Sequence, residues 1–437
     1  MKTGMNVHEI LGRYILADGM DLVMDLERSH SSWIVDQRDG TEYLDLYTMY
    51  ASQAIGYNHP GMLEISDELA RVATQKPICS DIYTEQMARF MEVFARVAMP
   101  VYLTHAFLIE GGALAVENAL KAAFDWKTRF NQAAGKEDVR GDMIVHFKEA
   151  FHGRSGYTLS LTNTYNPDKT QFFPKFDWPR IDNPKLCFPV DAAEVRRVSE
   201  TEARALEQFK QAIQRYGDRL AGLIIEPIQS EGGDNHFRPQ FMQALKELCS
   251  ENRILFILDE VQTGVGLTGR FWAHEHHGVQ PDIISFGKKT QVCGMLAGPI
   301  MDDVPDNVFE RSMRIGSTFG GNLVDMVRCK RILEIIESER LVDAAEQQGA
   351  YLLAKLQDLQ SRFSDRISNV RGQGLLCAFD LPDSEYRKRF VKHCTRARVL
   401  VVGCGPRSIR FRPHLNVSTA EIDHGIKVLA DVLTDMA

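Results

Sequence analysis

The 437-residue sequence holds no continuous apolar run approaching the roughly eighteen residues that a membrane-crossing helix needs, so no membrane partner is expected. No basic stretch followed by an apolar run lies in Met1–Met20, so no secretory leader is expected. Basic side chains are not in excess: 51 Lys and Arg face 59 Asp and Glu, for a formal net charge of −8. Phosphate backbones select for clustered positive charge, which argues against nucleic acid as a partner. None of the eight cysteines (Cys79, Cys187, Cys249, Cys293, Cys329, Cys377, Cys394 and Cys404) forms a CxxC pair. Thiols scattered in this way fit a reduced, cytoplasmic protein better than a disulfide framework. Internal repeats and low-complexity segments are also missing.

What is present is an ordinary globular composition. Hydrophobic residues make up 44% and charged residues 25%, enough to bury a core without disulfides or metals. The length predicts about two or three domains. Short aliphatic runs alternate with amphipathic stretches, the pattern of an α/β domain with a largely parallel sheet. Strands are predicted at Met143–Phe147, Gly222–Glu226, Ile254–Asp259 and Ile283–Phe286. Helices are predicted at Ala113–Phe130, where Val116, Leu120, Ala123 and Phe124 share a face, and from Pro239 to about Cys249.

The two ends differ from the middle. Asp39-Gly40 between Trp33–Val35 and Tyr43–Leu46 predicts a hairpin. After about residue 330, helices at Cys329–Ser338 and Leu341–Phe363 lead into short strands near Gly374–Phe379, Val399–Val402 and Ile409–Arg412. The expected organisation is an N-terminal segment, 1–60, belonging to a small α+β domain; a large domain, 61–328; and the rest of the small domain, 329–437. The proline- and aromatic-rich stretch Asn166–Pro189 is a long loop, and such loops in compact domains are usually functional.

Three local signals carry chemistry. The first is Ile257-Leu258-Asp259, an apolar run ending in a carboxylate, which places Asp259 at the carboxyl edge of the sheet, where α/β proteins bind ligands. There it can keep a buried nitrogen protonated, although capping the following turn would explain it equally well. The second is Ile283-Ile284-Ser285-Phe286-Gly287-Lys288-Lys289, in which a strand and a glycine deliver a lysine toward the same crevice. Desolvation would lower its pKa, as a Schiff-base lysine requires; a solvent-facing lysine pair is the commoner origin of such a sequence. The third is Glu110-Gly111-Gly112-Ala113, whose small residues expose backbone N–H groups at a helix start, a place for an anion.

Two further patterns point elsewhere. Gly264-Val265-Gly266-Leu267-Thr268-Gly269 matches the dinucleotide glycine motif and would suit a nicotinamide-dependent dehydrogenase. Four residues separate it from the strand, however, Phe271-Trp272 follows it, and the acidic residue expected to close the next strand is missing. His274, His276 and His277 suggest a metal cluster but lack a nearby cysteine, and a partly exposed helix end is expected instead, with no metal. A non-catalytic binding protein would need an unreachable lysine.

Taken in order, Phe151-His152-Gly153-Arg154, Glu226-Pro227-Ile228-Gln229, Glu231-Gly232-Gly233-Asp234, Asp259-Glu260-Val261-Gln262-Thr263-Gly264, Lys288 and Ser317-Thr318-Phe319-Gly320-Gly321-Asn322 resemble the class III (omega) aminotransferases of fold type I. The likeness runs from about residue 30 to near the C-terminus. It implies a large domain on a mostly parallel sheet of the seven-stranded type, a smaller α+β domain, and a homodimer with active sites at the interface. It also implies pyridoxal 5′-phosphate as cofactor. Lys288 would hold it covalently and shuttle the proton, with Lys289 the competing position; Asp259 would keep the pyridine nitrogen protonated; Gln262 would bond the ring hydroxyl; and Phe151 would stack on the ring, with His152 in the same set. Gly112 and Ala113 would bind the phosphate together with Thr318 of the partner subunit.

Within the class, Gly111-Gly112-Ala113-Leu114-Ala115-Val116-Glu117-Asn118 and Phe286-Gly287-Lys288-Lys289-Thr290-Gln291-Val292-Cys293-Gly294 are similar to the lysine 6-aminotransferases. Ser230–His236 and Ser408–Pro413 are similar to the 4-aminobutyrate aminotransferases as well. The likeness implies transfer of the ε-amino group of L-lysine to 2-oxoglutarate, with 4-aminobutyrate, ornithine or another diamine as alternative donors. Arg154 would bind the distal carboxylate shared by both substrates. Arg410 would bind the α-carboxylate of glutamate, and Glu231 would pair with Arg410 when lysine is present. Tyr50 and Phe319 would wall the pocket. Gly316 stands where lysine 6-aminotransferases carry a polar side chain.

Overall fold

Every residue of the Leu255–Asp259 strand is buried, and the same holds for its parallel neighbours Leu220–Ile225 and Ile283–Phe286. Covered on both faces, these strands have no polar side to alternate with, which is why their sequences are nearly continuous aliphatic runs. They form the centre of a seven-stranded sheet in a computed structural model that describes residues 6–75 and 81–436. Cys79 and the start of the Met1–Met20 stretch lie outside the described residues.

Across the sheet the order is His105–Ile109, Cys293–Ala297, Ile283–Phe286, Leu255–Asp259, Leu220–Ile225, Met143–Phe147 and Arg180–Ile181. All neighbours are parallel except Cys293–Ala297, which runs antiparallel to both strands beside it. Three of these strands, His105–Ile109, Arg180–Ile181 and Cys293–Ala297, were not expected from the sequence. Arg180–Ile181 is only two residues long, and glycine and alanine dilute the β-branched signal of Cys293–Ala297. The expected Gly222–Glu226 strand begins earlier and stops at Ile225, so Glu226 leaves the ladder.

The Gly112–Ala133 helix lies on this sheet, burying Val116, Ala119, Leu120, Ala123 and Trp126. The three- and four-residue spacing of those side chains forms its apolar stripe. Pro239 opens the Pro239–Glu251 helix within its first two positions, where a missing N–H costs nothing.

The expected hairpin is present as Trp33–Val35 paired with Glu42–Asp45, and Val399–Leu400 adds to it in parallel. The chain's early segment therefore meets its late segment in one three-stranded sheet. A second sheet runs Ser368–Gln373, Leu376–Asp380, Ser408–Phe411 and Val402–Cys404. The Leu323–Ser338 helix packs on Glu85–Val97, and it passes unbroken through residue 328, where a border between domains was expected. No helix among the described residues is long and apolar enough to cross a membrane.

Candidate active site

Four strands end at one edge of the main sheet, the carboxyl edge. Leu255–Asp259 ends in Asp259, Leu220–Ile225 runs into Glu226, Met143–Phe147 leads to Phe151–Arg154, and Ile283–Phe286 leads to Lys288. With Gly112, Ala113, Val261 and Gln262, these residues enclose a cavity of about 300 Å³. That is room for one small ligand.

Asp259 is fixed from three directions. Its Oδ2 lies 2.8 Å from His152 Nδ1, while its Oδ1 accepts from the Val261 backbone N–H and the Ser285 hydroxyl, each at 3.1 Å. Ser285 stands opposite it on the adjacent parallel strand. His152 is also buried, and its Nε2 has no partner among the described residues. A buried carboxylate set in this way is suited to stabilise a cationic nitrogen above it.

Lys288 follows Gly287 in a tight turn and takes a φ of +54°, a left-handed conformation that lysine rarely adopts outside functional sites. Burial and then the Arg410 charge push its ammonium pKa down, against the pull of Asp259 and Glu231. An amine that sheds its proton readily suits Schiff-base chemistry. Lys289 is turned elsewhere: its buried Nζ donates to the carbonyls of Gln262 at 2.9 Å and Ala51 at 3.4 Å, and it does not line the cavity. Geometry thus separates the two lysines, which the sequence alone does not.

At another wall the Gly112–Ala133 helix begins with no side-chain cap, which leaves its first backbone N–H groups and the positive end of its dipole to a ligand. The approach is close. A Cβ on Gly112 would lie 2.9 Å from Val261 Cγ1, and Gly153, at φ +122°, would meet the Ala113 Cβ at 2.7 Å.

Beside the cavity, the Ser408–Phe411 strand delivers Arg410, whose side chain is 1% exposed. Its Nη2 donates to Glu231 Oε2 at 2.8 Å and its Nη1 to Gln262 Oε1 at 3.3 Å. The Tyr50 ring lies 5.4 Å from the guanidinium, presented by Thr48–Ala51, four successive residues with positive φ. Burial pushes the Glu231 carboxyl up, but Arg410 and then Lys169 overcome it and hold it below the usual range. Arg154, by contrast, is exposed at the cavity rim and makes no ion pair among the described residues.

Two residues at the site were given no role from the sequence, Glu226 appearing only within a motif. Glu226 accepts the backbone N–H groups of Phe151 at 3.0 Å and Ser230 at 3.1 Å, and burial, then Asp259, raises its pKa well above the ordinary value. Lys169 reaches Glu231 Oε1 at 2.5 Å from the Asn166–Pro189 loop. The loop was the available signal, but nothing in its composition marks this lysine over its neighbours.

Thr318, expected to act from the partner subunit, is exposed here and lines a separate groove with Phe107, Lys121 and Met313, away from the cavity of its own chain. Phe319, expected as a pocket wall, is also exposed. The histidine cluster lies on the short helical turn Ala273–His277, where Glu275 is exposed and His276 half-buried; His274 and His277 are buried, bonded to Glu260 at 3.0 Å and the Pro227 carbonyl at 3.2 Å. The Gly264–Gly269 motif opens no helix; it forms a buried turn against Trp272 and Glu346, which removes the dinucleotide alternative.

The family model for class-III aminotransferases matches residues 15–433. The chain belongs to that family. An L-lysine-epsilon aminotransferase of Mycobacterium tuberculosis is 51% identical over 430 residues, covering 98% of this chain and 95% of the relative. The solved structure of a lysine aminotransferase from M. tuberculosis in the internal aldimine form superposes with a TM-score of 0.96 at 50% identity, covering 99% of each chain. A mitochondrial 4-aminobutyrate aminotransferase of Sus scrofa is 32% identical over 440 residues, covering 96% of this chain and 86% of the relative.

Class-III aminotransferases depend on pyridoxal 5′-phosphate, and this cavity fits it. An uncapped helix start suits the phosphate, a triply bonded carboxylate suits the ring nitrogen, and a readily deprotonated amine suits the aldehyde.

Proposed function

We propose that this aminotransferase moves the ε-amino group of L-lysine to 2-oxoglutarate, releasing 2-aminoadipate 6-semialdehyde and L-glutamate. The observation that carries the reading is the Glu231–Arg410 ion pair standing beside the cavity while Arg154 at its rim is unpaired. Lysine and glutamate must use one site in turn. Both offer a carboxylate at the far end, and Arg154 takes it with its planar fork of donors. Only glutamate carries a carboxylate at the reacting carbon. Arg410 binds that group, and Glu231 covers Arg410 when lysine's uncharged methylene is there instead, because a lone buried guanidinium is costly.

Bound pyridoxal phosphate supplies an electron sink and a temporary carrier for the amino group. Lys288 Nζ would hold the cofactor, and the same amine is placed to carry a proton to and from the substrate carbon. Asp259 keeps the ring nitrogen protonated, with His152 fixing the carboxylate's orientation. The Gln262 amide oxygen is turned to Arg410, which leaves its NH₂ to donate to the ring hydroxyl. The Phe151 ring lines the cavity and would lie against the cofactor. The Gly112 and Ala113 N–H groups would bind the phosphate, joined by Thr318 of the partner subunit in a homodimer. The seven free cysteines among the described residues support a reducing, cytoplasmic setting.

A 4-aminobutyrate-type donor is the second reading: Gly316 stands where the lysine 6-aminotransferases carry a polar side chain, so a hydrogen bond that this side chain could give to lysine has no donor here. A panel of amines with 2-oxoglutarate, products identified by mass, separates the two. Lysine should give the fastest turnover and a product that cyclises. Turnover with 4-aminobutyrate but not with lysine would reverse the assignment.

A further inference from the structure

Glu231 is held by two cations, not one. Arg410 Nη2 donates to Oε2 at 2.8 Å, and Lys169 Nζ donates to the other oxygen, Oε1, at 2.5 Å. Lys169 sits at the end of the short Pro167–Lys169 turn, which the Asn166 side chain caps by accepting the Asp168 N–H at 3.1 Å. Its ammonium lies 5.7 Å from the Phe151 ring centroid and 5.9 Å from that of Tyr165, and its side chain is 22% exposed. An ammonium held over two ring faces and against a carboxylate is restrained on three sides.

We infer that Lys169 is the positioning residue for substrate alternation, the cation that keeps Glu231 neutralised when Arg410 turns to an incoming carboxylate. This rests on the proposed function insofar as one site must admit a substrate with, and one without, a carboxylate at the reacting end. When Arg410 binds that carboxylate, Glu231 loses one partner, and a buried carboxylate with none would oppose the exchange. With Lys169 in place it keeps an ion pair on the oxygen that Arg410 never used. Counting charges gives the same result. Two cations and one carboxylate leave the cluster one positive charge in surplus, which the α-carboxylate of glutamate or 2-oxoglutarate cancels. Without Lys169 the same carboxylate would enter a cluster already neutral and make it negative.

The test uses the holoenzyme, with glutarate, a dicarboxylate lacking an amine, as the binding probe. Lys169→Gln should weaken glutarate binding by calorimetry, and raise the KM for 2-oxoglutarate, by about tenfold, while kcat/KM of the lysine half-reaction changes much less. Lys169→Arg should restore glutarate binding. In a Glu231→Gln background the Lys169 substitution should lose its effect, because no carboxylate remains to neutralise. Unchanged glutarate affinity in Lys169→Gln overturns the inference. So does an equal loss for lysine and glutarate, which means general damage, or an undiminished loss in the Glu231→Gln background, which means a direct contact with the ligand. A wild-type enzyme that binds glutarate but ignores lysine would refute the donor assignment and leave this test intact.

Discussion

The imidazole of His152 and the carboxylate of Asp259 meet at 2.8 Å with both side chains buried, so the charge at the head of the Leu255–Asp259 strand is oriented by a residue more than a hundred positions earlier in the chain. Asp259→Asn preserves the size of the side chain and removes its charge. The variant should fold normally and lose about a hundredfold or more in kcat, the usual cost of removing one preorganised electrostatic group. A near-normal rate in single-turnover assays would show that the ring nitrogen is handled by something else.

The two adjacent lysines should fail in different ways. Lys288→Ala should keep the fold and lose covalent cofactor attachment, seen as the absence of a borohydride-trapped adduct by mass. Lys289→Met should instead cost about 1–3 kcal/mol of stability in urea titration, because the Gln262 and Ala51 carbonyls lose their buried donor. A trapped adduct that survives in Lys288→Ala would reverse the assignment.

How much of this could be read from the sequence depends on how local each cause is. Asp259 and Lys288 were legible because each ends or follows an aliphatic run, and a buried parallel strand must deliver its next residue to the sheet's carboxyl edge. The Glu231–Arg410 pair was legible only through family likeness, since its partners lie 179 positions apart in the chain. Lys169 was not legible: its partner Glu231 lies 62 positions away, and the contact is set by how the Asn166–Pro189 loop folds back. The short strands Arg180–Ile181 and Cys293–Ala297 were missed because two to five residues diluted by glycine, alanine and charge carry no clear period.

Arg154→Ala should raise the KM for lysine and for 2-oxoglutarate together, by roughly ten- to a hundredfold, with a smaller effect on kcat, because both substrates offer the same distal carboxylate. Steady-state kinetics with each substrate varied in turn decides this. A change confined to one substrate would mean that the two carboxylates bind at different places.

Acid should unfold the protein cooperatively from below neutrality. Burial lowers the pKa of His146, His236 and His414 from 6.5 to about 3 each. Above 6.5 these rings are neutral in both states and cost nothing. Between 6.5 and about 3 only the unfolded chain takes up their protons, so stability falls with pH, by roughly 1.4 kcal/mol per pH unit for each ring. Urea midpoints measured at descending pH should drop across that window. Midpoints flat from pH 6.5 to pH 4 would mean that the rings are hydrated.

The one antiparallel member of the main sheet bears on what moves during turnover. Ile283–Phe286 and Cys293–Ala297 are neighbours joined only by Gly287 to Val292, whereas a parallel return would need about a dozen residues or more. The segment bearing Lys288 is therefore stapled at both ends, with almost no slack. Whatever adjusts as donors and acceptors of different length come and go must belong to the opposite bank, where Lys169 and Arg410 stand, while Lys288 works from a fixed mooring.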